Sequence, residues 1–133
     1  MNHAVSLDFD HRPSAWPYML RALAPVTRRI DLAPQITARW HGHVADHAEL
    51  AAFRRITGLT ADADHLPLLY PHAFGFRLPM AILTHPSFPV PIWGVLQTRN
   101  HLVQHRPIAV GERIDFETRV LRGRAVAKGA EFD

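Results

Sequence analysis

The chain has 133 residues, enough for one ordinary domain and too few for two. It is 47% apolar and 20% charged, the balance of a protein with a packed core, and it has no cysteine, which excludes disulfides, thiolate metal sites and a cysteine nucleophile. Fourteen of its fifteen basic residues are arginines, so a sequence pI of about 10.2 accompanies a net charge of only +3. The arginines are scattered rather than gathered in a run, which argues against nucleic acid as a partner. No basic start followed by an apolar block marks a leader, and no stretch has the ~18–20 apolar residues of a membrane span. A cytoplasmic protein is the expectation.

Residues 1–34 read as a lead-in, punctuated by Pro13, Pro17, Pro25 and Pro34, with Arg28-Arg29 in its middle. Within it, 16–24 suits a short helix using Tyr18, Leu20 and Leu23 to lie across another surface, because alone it is too short to be stable. Residues 35–133 read as the domain itself. Over 35–44 the pattern alternates: Ile36, Ala38, Trp40, Gly42 and Val44 on one side, Thr37, Arg39, His41 and His43 on the other, a half-buried strand. Asp46 followed by Glu49 is a capping-box signature, Leu50, Phe53 and Ile56 have helical spacing, and Gly58 is a natural stop. Together they predict a helix over 46–57.

Residues 59–71 contain Leu66-Pro67 and Tyr70-Pro71, which predict an extended connection, since proline holds the residue before it out of the helical region. The block 72–83 is apolar on nearly every side and predicts a buried helix kinked or opened by Pro79. After Pro86, Pro89 and Pro91, three strand-like runs follow, at 94–104, 112–122 and 125–133, with Gly123 as a hairpin turn and the chain stopping inside the third. A sheet packing one face on a buried helix is an α+β architecture.

Two segments resemble the MaoC-like acyl dehydratases, proteins of the hotdog fold. One runs from Leu66-Pro67-Leu68-Leu69-Tyr70-Pro71 through His72-Ala73-Phe74-Gly75-Phe76-Arg77-Leu78-Pro79-Met80-Ala81. The other is Gly94-Val95-Leu96-Gln97-Thr98-Arg99-Asn100-His101 with Arg106-Pro107-Ile108-Ala109-Val110-Gly111-Glu112. The likeness covers roughly 35–133 and is closest to the N-terminal half of two-module members. It implies a curved antiparallel sheet wrapped around a central Pro-interrupted helix, with thioesters of coenzyme A or acyl carrier protein as substrates and no other cofactor. It also implies reversible addition of water to an enoyl thioester. In that family an Asp and a His five residues later, ahead of the central helix, act as the acid–base pair, while backbone N–H groups at the helix start polarise the thioester carbonyl.

None of the eight Asp residues here has a His five positions later, and Asp64 and His65, where the motif would fall, are adjacent. No catalytic residue is therefore assigned. The resemblance implies a first-half role, shaping the acyl site while a second module or subunit, or a homodimer partner, completes the enzyme. Tyr70, His72, Ala73, Phe74, Gly75 and Pro79 are the candidate substrate-binding residues, the small ones leaving room beside the helix for an apolar chain. Simpler roles for two of them are an aromatic lid for Tyr70 and a helix cap for His72.

Ten histidines raise the question of metal, but His41, His43 and His47 lack a carboxylate or thiolate to complete a set, and no metal site is assigned. Arg113, Arg119, Arg122, Arg124 and Lys128 could meet coenzyme A phosphates or an acidic carrier, or simply be the solvated side of a hairpin. Trp16, Trp40 and Trp93 read as core or interface aromatics, and Ser6, Ser14 and Ser87 have no nucleophile-elbow setting. Two alternative functions are a hotdog acyl-CoA thioesterase, disfavoured because 72–83 contains no Asp or Glu, and a non-enzymatic acyl-thioester binding module.

Overall fold

A computed structural model describes residues 4–24, 31–59 and 62–133. Arg28-Arg29, Pro25 and residues 60–61 of the 59–71 connection lie outside the described residues. Among the described residues, five strands and four α-helices follow in chain order: β1 (Val5–Phe9), α1 (Trp16–Ala22), β2 (Ile36–His43), α2 (His47–Thr57), α3 (Leu69–Gly75), α4 (Arg77–Leu83), β3 (Ile114–Arg119), β4 (Gly123–Val126) and β5 (Gly129–Phe132). The α+β class read from the sequence stands. The sheet is three-stranded, ordered β1-β2-β3, with β1 parallel and β3 antiparallel to β2; β4 and β5 form a separate antiparallel hairpin. The expected all-antiparallel sheet is thus mixed here.

The strand at Val5–Phe9 was not read from the sequence. Its alternation, Val5, Leu7 and Phe9 against Ser6 and Asp8, covers only five residues, and its partner is 31 positions away, with Val5 opposite Ile36. The short helix is present, but only Tyr18 of its expected apolar side is buried; Leu20 and Leu23 are exposed.

β2 forms where period two predicted it, and Ile36, Ala38 and Trp40 are all buried. The alternation then breaks. A register irregularity between Trp40 and His43, with Gly42 at φ 71°, turns the following side chains over. His43 is consequently buried and Val44 exposed, the reverse of the sequence expectation. Glycine fits because it adopts that φ without a Cβ penalty, and the Arg113 guanidinium lies where a Cβ would project.

α2 begins as predicted: the Asp46 carboxylate accepts the Glu49 N–H at 3.0 Å, and Gly58 ends the helix in the left-handed region. The Glu49 carboxylate pairs with Arg12 instead of closing the capping box. Ile56 is solvent-exposed, so the buried stripe is narrower than its spacing suggested.

Tyr70 and Pro71 are helical, not extended. Pro71 falls in the first turn of α3, where a missing N–H costs nothing, and the Tyr70 N–H bonds to the Pro67 carbonyl at 2.8 Å. The proline effect of Pro79 appears upstream of Pro79 itself. A proline at position i cannot donate to the carbonyl at i−4 and collides with it; here that carbonyl is Gly75, and α3 ends there, with α4 starting after Phe76. The block is not buried all round. Leu78, Ala81 and Ile82 are buried, whereas His72, Ala73 and Phe76 face solvent.

α4 packs on β2 and β3. Leu78 and Ile82 join Ile36, Ala38, Trp40 and Phe88 in one core cluster, and Tyr70 joins Ala45, Leu50 and Leu66 in a second. The run 94–104 is not a strand: it has no regular secondary structure and is largely exposed after a 3₁₀ turn at Ile92–Gly94. The run at 112–122 gives β3 as expected. Gly123 opens β4 opposite Phe132 rather than forming the turn, so 125–133 folds back on itself as the β4–β5 hairpin.

Candidate functional site

α3 is the centre of two features, one inside the protein and one on its surface. Inside, its buried face lies on an aromatic group built from three other elements. Tyr70 stacks on Phe74 (ring centroids 4.2 Å apart) and meets Phe53 of α2 edge-on at 5.5 Å; His43 of β2 lies 6.1 Å from Phe74, 4.6 Å from Trp40 and 5.7 Å from Phe116 of β3. The Arg12 guanidinium covers the Phe74 ring at 5.6 Å while paired with Glu49. Neither His43 Nε2 nor Tyr70 Oη has a hydrogen-bond partner among the described residues. Burial, reinforced by Glu49, pushes the Tyr70 phenol up to about 12. Burial, reinforced by Arg12 and opposed by Glu49, holds the His43 imidazole below its ordinary value and therefore neutral.

On the surface, a groove of ≈ 440 Å³ separates the start of α3 from the segment 102–108. Leu66, Leu68, Leu102, Val103, Ile108 and Phe116 form its apolar wall. The polar contribution comes from His72, Gln104, His105 and Arg106, and His72 Nε2 lies 3.4 Å from Asn100 Nδ2. Arg106 is held by Glu112, and this hydrogen bond takes the Glu112 carboxyl down to about 2. Apolar walls with a few polar groups at the rim are the general form of a small-molecule site.

The six candidate residues divide between these features. His72 is on the groove wall, exposed, in the middle of α3 rather than at its cap. Tyr70 is fully buried and Phe74 half-buried in the aromatic group. Ala73 is exposed, and Pro79 sits in the first turn of α4. Gly75 abuts Phe116: a Cβ there would lie 2.7 Å from Phe116 Cδ1. At Gly75 the room expected beside the helix is filled by Phe116. Leu102, Val103 and Phe116 were missed as site residues because nothing in the sequence shows that the 94–104 run leaves the sheet and faces α3.

Asp62 and His65, not Asp64 and His65, interact: His65 Nδ1 is 2.8 Å from Asp62 Oδ2. Asp62 also accepts the Asp64 and His65 N–H groups, which with the His65 ring lower its carboxyl. This is a turn, pinned from behind by Arg54, whose Nη2 donates to the Asp62 and His65 carbonyls. His41 and His43 do not share a face, and among the described residues no three or more His, Asp or Glu side chains are grouped to hold a metal ion. The arginines near the hairpin are paired: Arg119 with Glu117, Arg122 with Asp133, and Arg124 with Glu131. That neutralises most of the cluster considered for phosphate. Among the described residues, no helix is long and apolar enough to cross a membrane.

No family model matches the chain, and no solved structure matches it. It is similar to 3-hydroxyacyl-thioester dehydratase X of Mycobacterium tuberculosis, with 34% identity over 125 residues. The match takes in 92% of this chain and 44% of that protein, so the chain spans less than half the length of its relative and nearly the whole of its own.

Proposed function

We propose that this chain is the acyl-thioester-binding half of a MaoC-like enoyl-thioester hydratase or 3-hydroxyacyl dehydratase of the hotdog type, and that a second module or subunit supplies the acid–base pair. The observation that carries this reading is the extent of the likeness: nearly the full chain corresponds to less than half of a dehydratase. Two features support it. No Asp stands five residues ahead of a His, and the groove beside α3 is apolar, with only neutral or basic polar groups and no carboxylate on its wall. Such a groove accepts an acyl chain and lacks the carboxylate of an Asp–His acid–base pair.

In this reading the acyl tail, carried on coenzyme A or acyl carrier protein, lies along Leu66, Leu102 and Ile108. His72, steadied by Asn100, faces the polar end. Tyr70, Phe74 and Gly75 act from within, holding α3 against the sheet. The exposed run at 94–104 is where a further module or a second copy would pair. Hydration of an enoyl-CoA is the test, measured first on the chain alone and then with a polypeptide carrying the Asp–His pair. The reading expects no turnover alone and turnover on addition, above that of the added polypeptide by itself. Hydration by the chain alone, or no gain from mixing, would overturn it.

A further inference from the structure

We infer that Phe116 is the floor of the groove and sets the length of apolar chain that it accepts. This rests on the acyl-chain reading above and adds to it the residue that determines specificity.

The alternation of β3 turns Ile114, Phe116 and Thr118 inward and Asp115, Glu117 and Arg119 outward. Phe116 is the inward residue that also lines the groove, so its ring separates the groove from the interior. On the interior side three contacts fix it. The ring stacks on Trp40 at 5.1 Å and 16°, its centroid is 5.7 Å from that of His43, and its edge fills the space a side chain at Gly75 would need, with Cδ1 at 2.7 Å and Cε1 at 3.0 Å from an ideal Cβ. Gly75 is not in a left-handed conformation. Its lack of a side chain therefore serves this close approach of α3 to the ring rather than a backbone requirement.

Two substitutions follow, with opposite effects. Phe116→Ala removes the floor and extends the groove toward Gly75 and the Trp40 indole, because close-packed surroundings only partly collapse into a vacated volume. Gly75→Ala places a methyl group against the ring edge and, with Trp40 and His43 behind, displaces the ring toward the groove. The first lengthens the accepted chain and the second shortens it.

The experiment is a binding series, butanoyl-CoA through hexadecanoyl-CoA, measured calorimetrically on the wild-type chain and both variants. Each additional buried methylene tightens binding by about fourfold until the floor is met. The inference expects affinity to stop rising at a longer chain in Phe116→Ala, with at least about a tenfold gain over wild type for chains beyond the wild-type limit. It expects the limit to fall in Gly75→Ala. Near-UV circular dichroism identifies a variant that has lost its packing. Gly75→Ala, which asks for no left-handed backbone, keeps the test decisive if Phe116→Ala does not fold. An unchanged limit in a folded variant overturns the assignment of Phe116 while leaving the acyl reading in place. Failure of the wild-type chain to bind any member of the series overturns both.

Discussion

Replacing Tyr70 by Phe removes one oxygen from the buried face of α3 and leaves its ring contacts with Phe74 and Phe53 in place. The residue is fully buried and its hydroxyl has no partner among the described residues. A hydroxyl taken from water without a compensating hydrogen bond costs about 1–3 kcal/mol by mutational measures. Tyr70→Phe is therefore expected to stabilise the chain by about 1–3 kcal/mol. For a domain of this size that is a rise in Tm of about 3–5 °C per kcal/mol. Urea denaturation followed by tryptophan fluorescence reads it as a higher midpoint at unchanged slope. A loss of about 1 kcal/mol or more would refute the reasoning, since that is what a satisfied hydroxyl costs when removed.

The buried imidazole gives a pH signature. Because the folded pKa of His43 lies below its ordinary value, the unfolded chain takes up the proton first as pH falls. The contribution is complete above the ordinary histidine range near pH ~6.5 and declines as pH drops through it toward the folded value. His43→Phe should have a flatter stability profile than wild type between about pH 7.5 and 5, read by urea midpoints; equal slopes would contradict the neutral buried state. Gly42→Ala forces a Cβ into the left-handed region and against Arg113, and should cost about 1–2 kcal/mol, with an unchanged midpoint counting against the bulge. Asp46→Ala removes the 3.0 Å cap on Glu49 N–H and should cost about 1 kcal/mol with faster amide exchange in the first turn of α2.

The parts of the fold legible in the sequence are those fixed by neighbours close along the chain. Asp46, Glu49 and Gly58 bracket α2 within thirteen residues, and Ile36 to Trp40 alternate cleanly. Pro79 foretold a break, and the i−4 rule places it at Gly75 rather than at the proline. What the sequence did not show depends on partners far away. The bulge that carries His43 inward is one glycine whose conformation is settled by packing against Arg113 and β3. β1 exists through pairing with a strand 31 positions on. The 94–104 run alternates as a strand does, yet no described strand lies beside it, and its apolar residues Leu102 and Val103 face α3 across the groove. Of the candidate residues on α3, His72 faces the groove, while Tyr70 and Phe74 turn into the aromatic group.

The proposal that the chain holds an acyl thioester without transforming it can be tested directly. An NMR titration of the isotopically labelled chain with octenoyl-CoA observes protein and ligand in one tube. The account predicts shifts centred on His72, Leu102, Val103 and Phe116 while the enoyl signals persist. Shifts confined to other residues, or the appearance of 3-hydroxyoctanoyl signals with the chain alone, would contradict it.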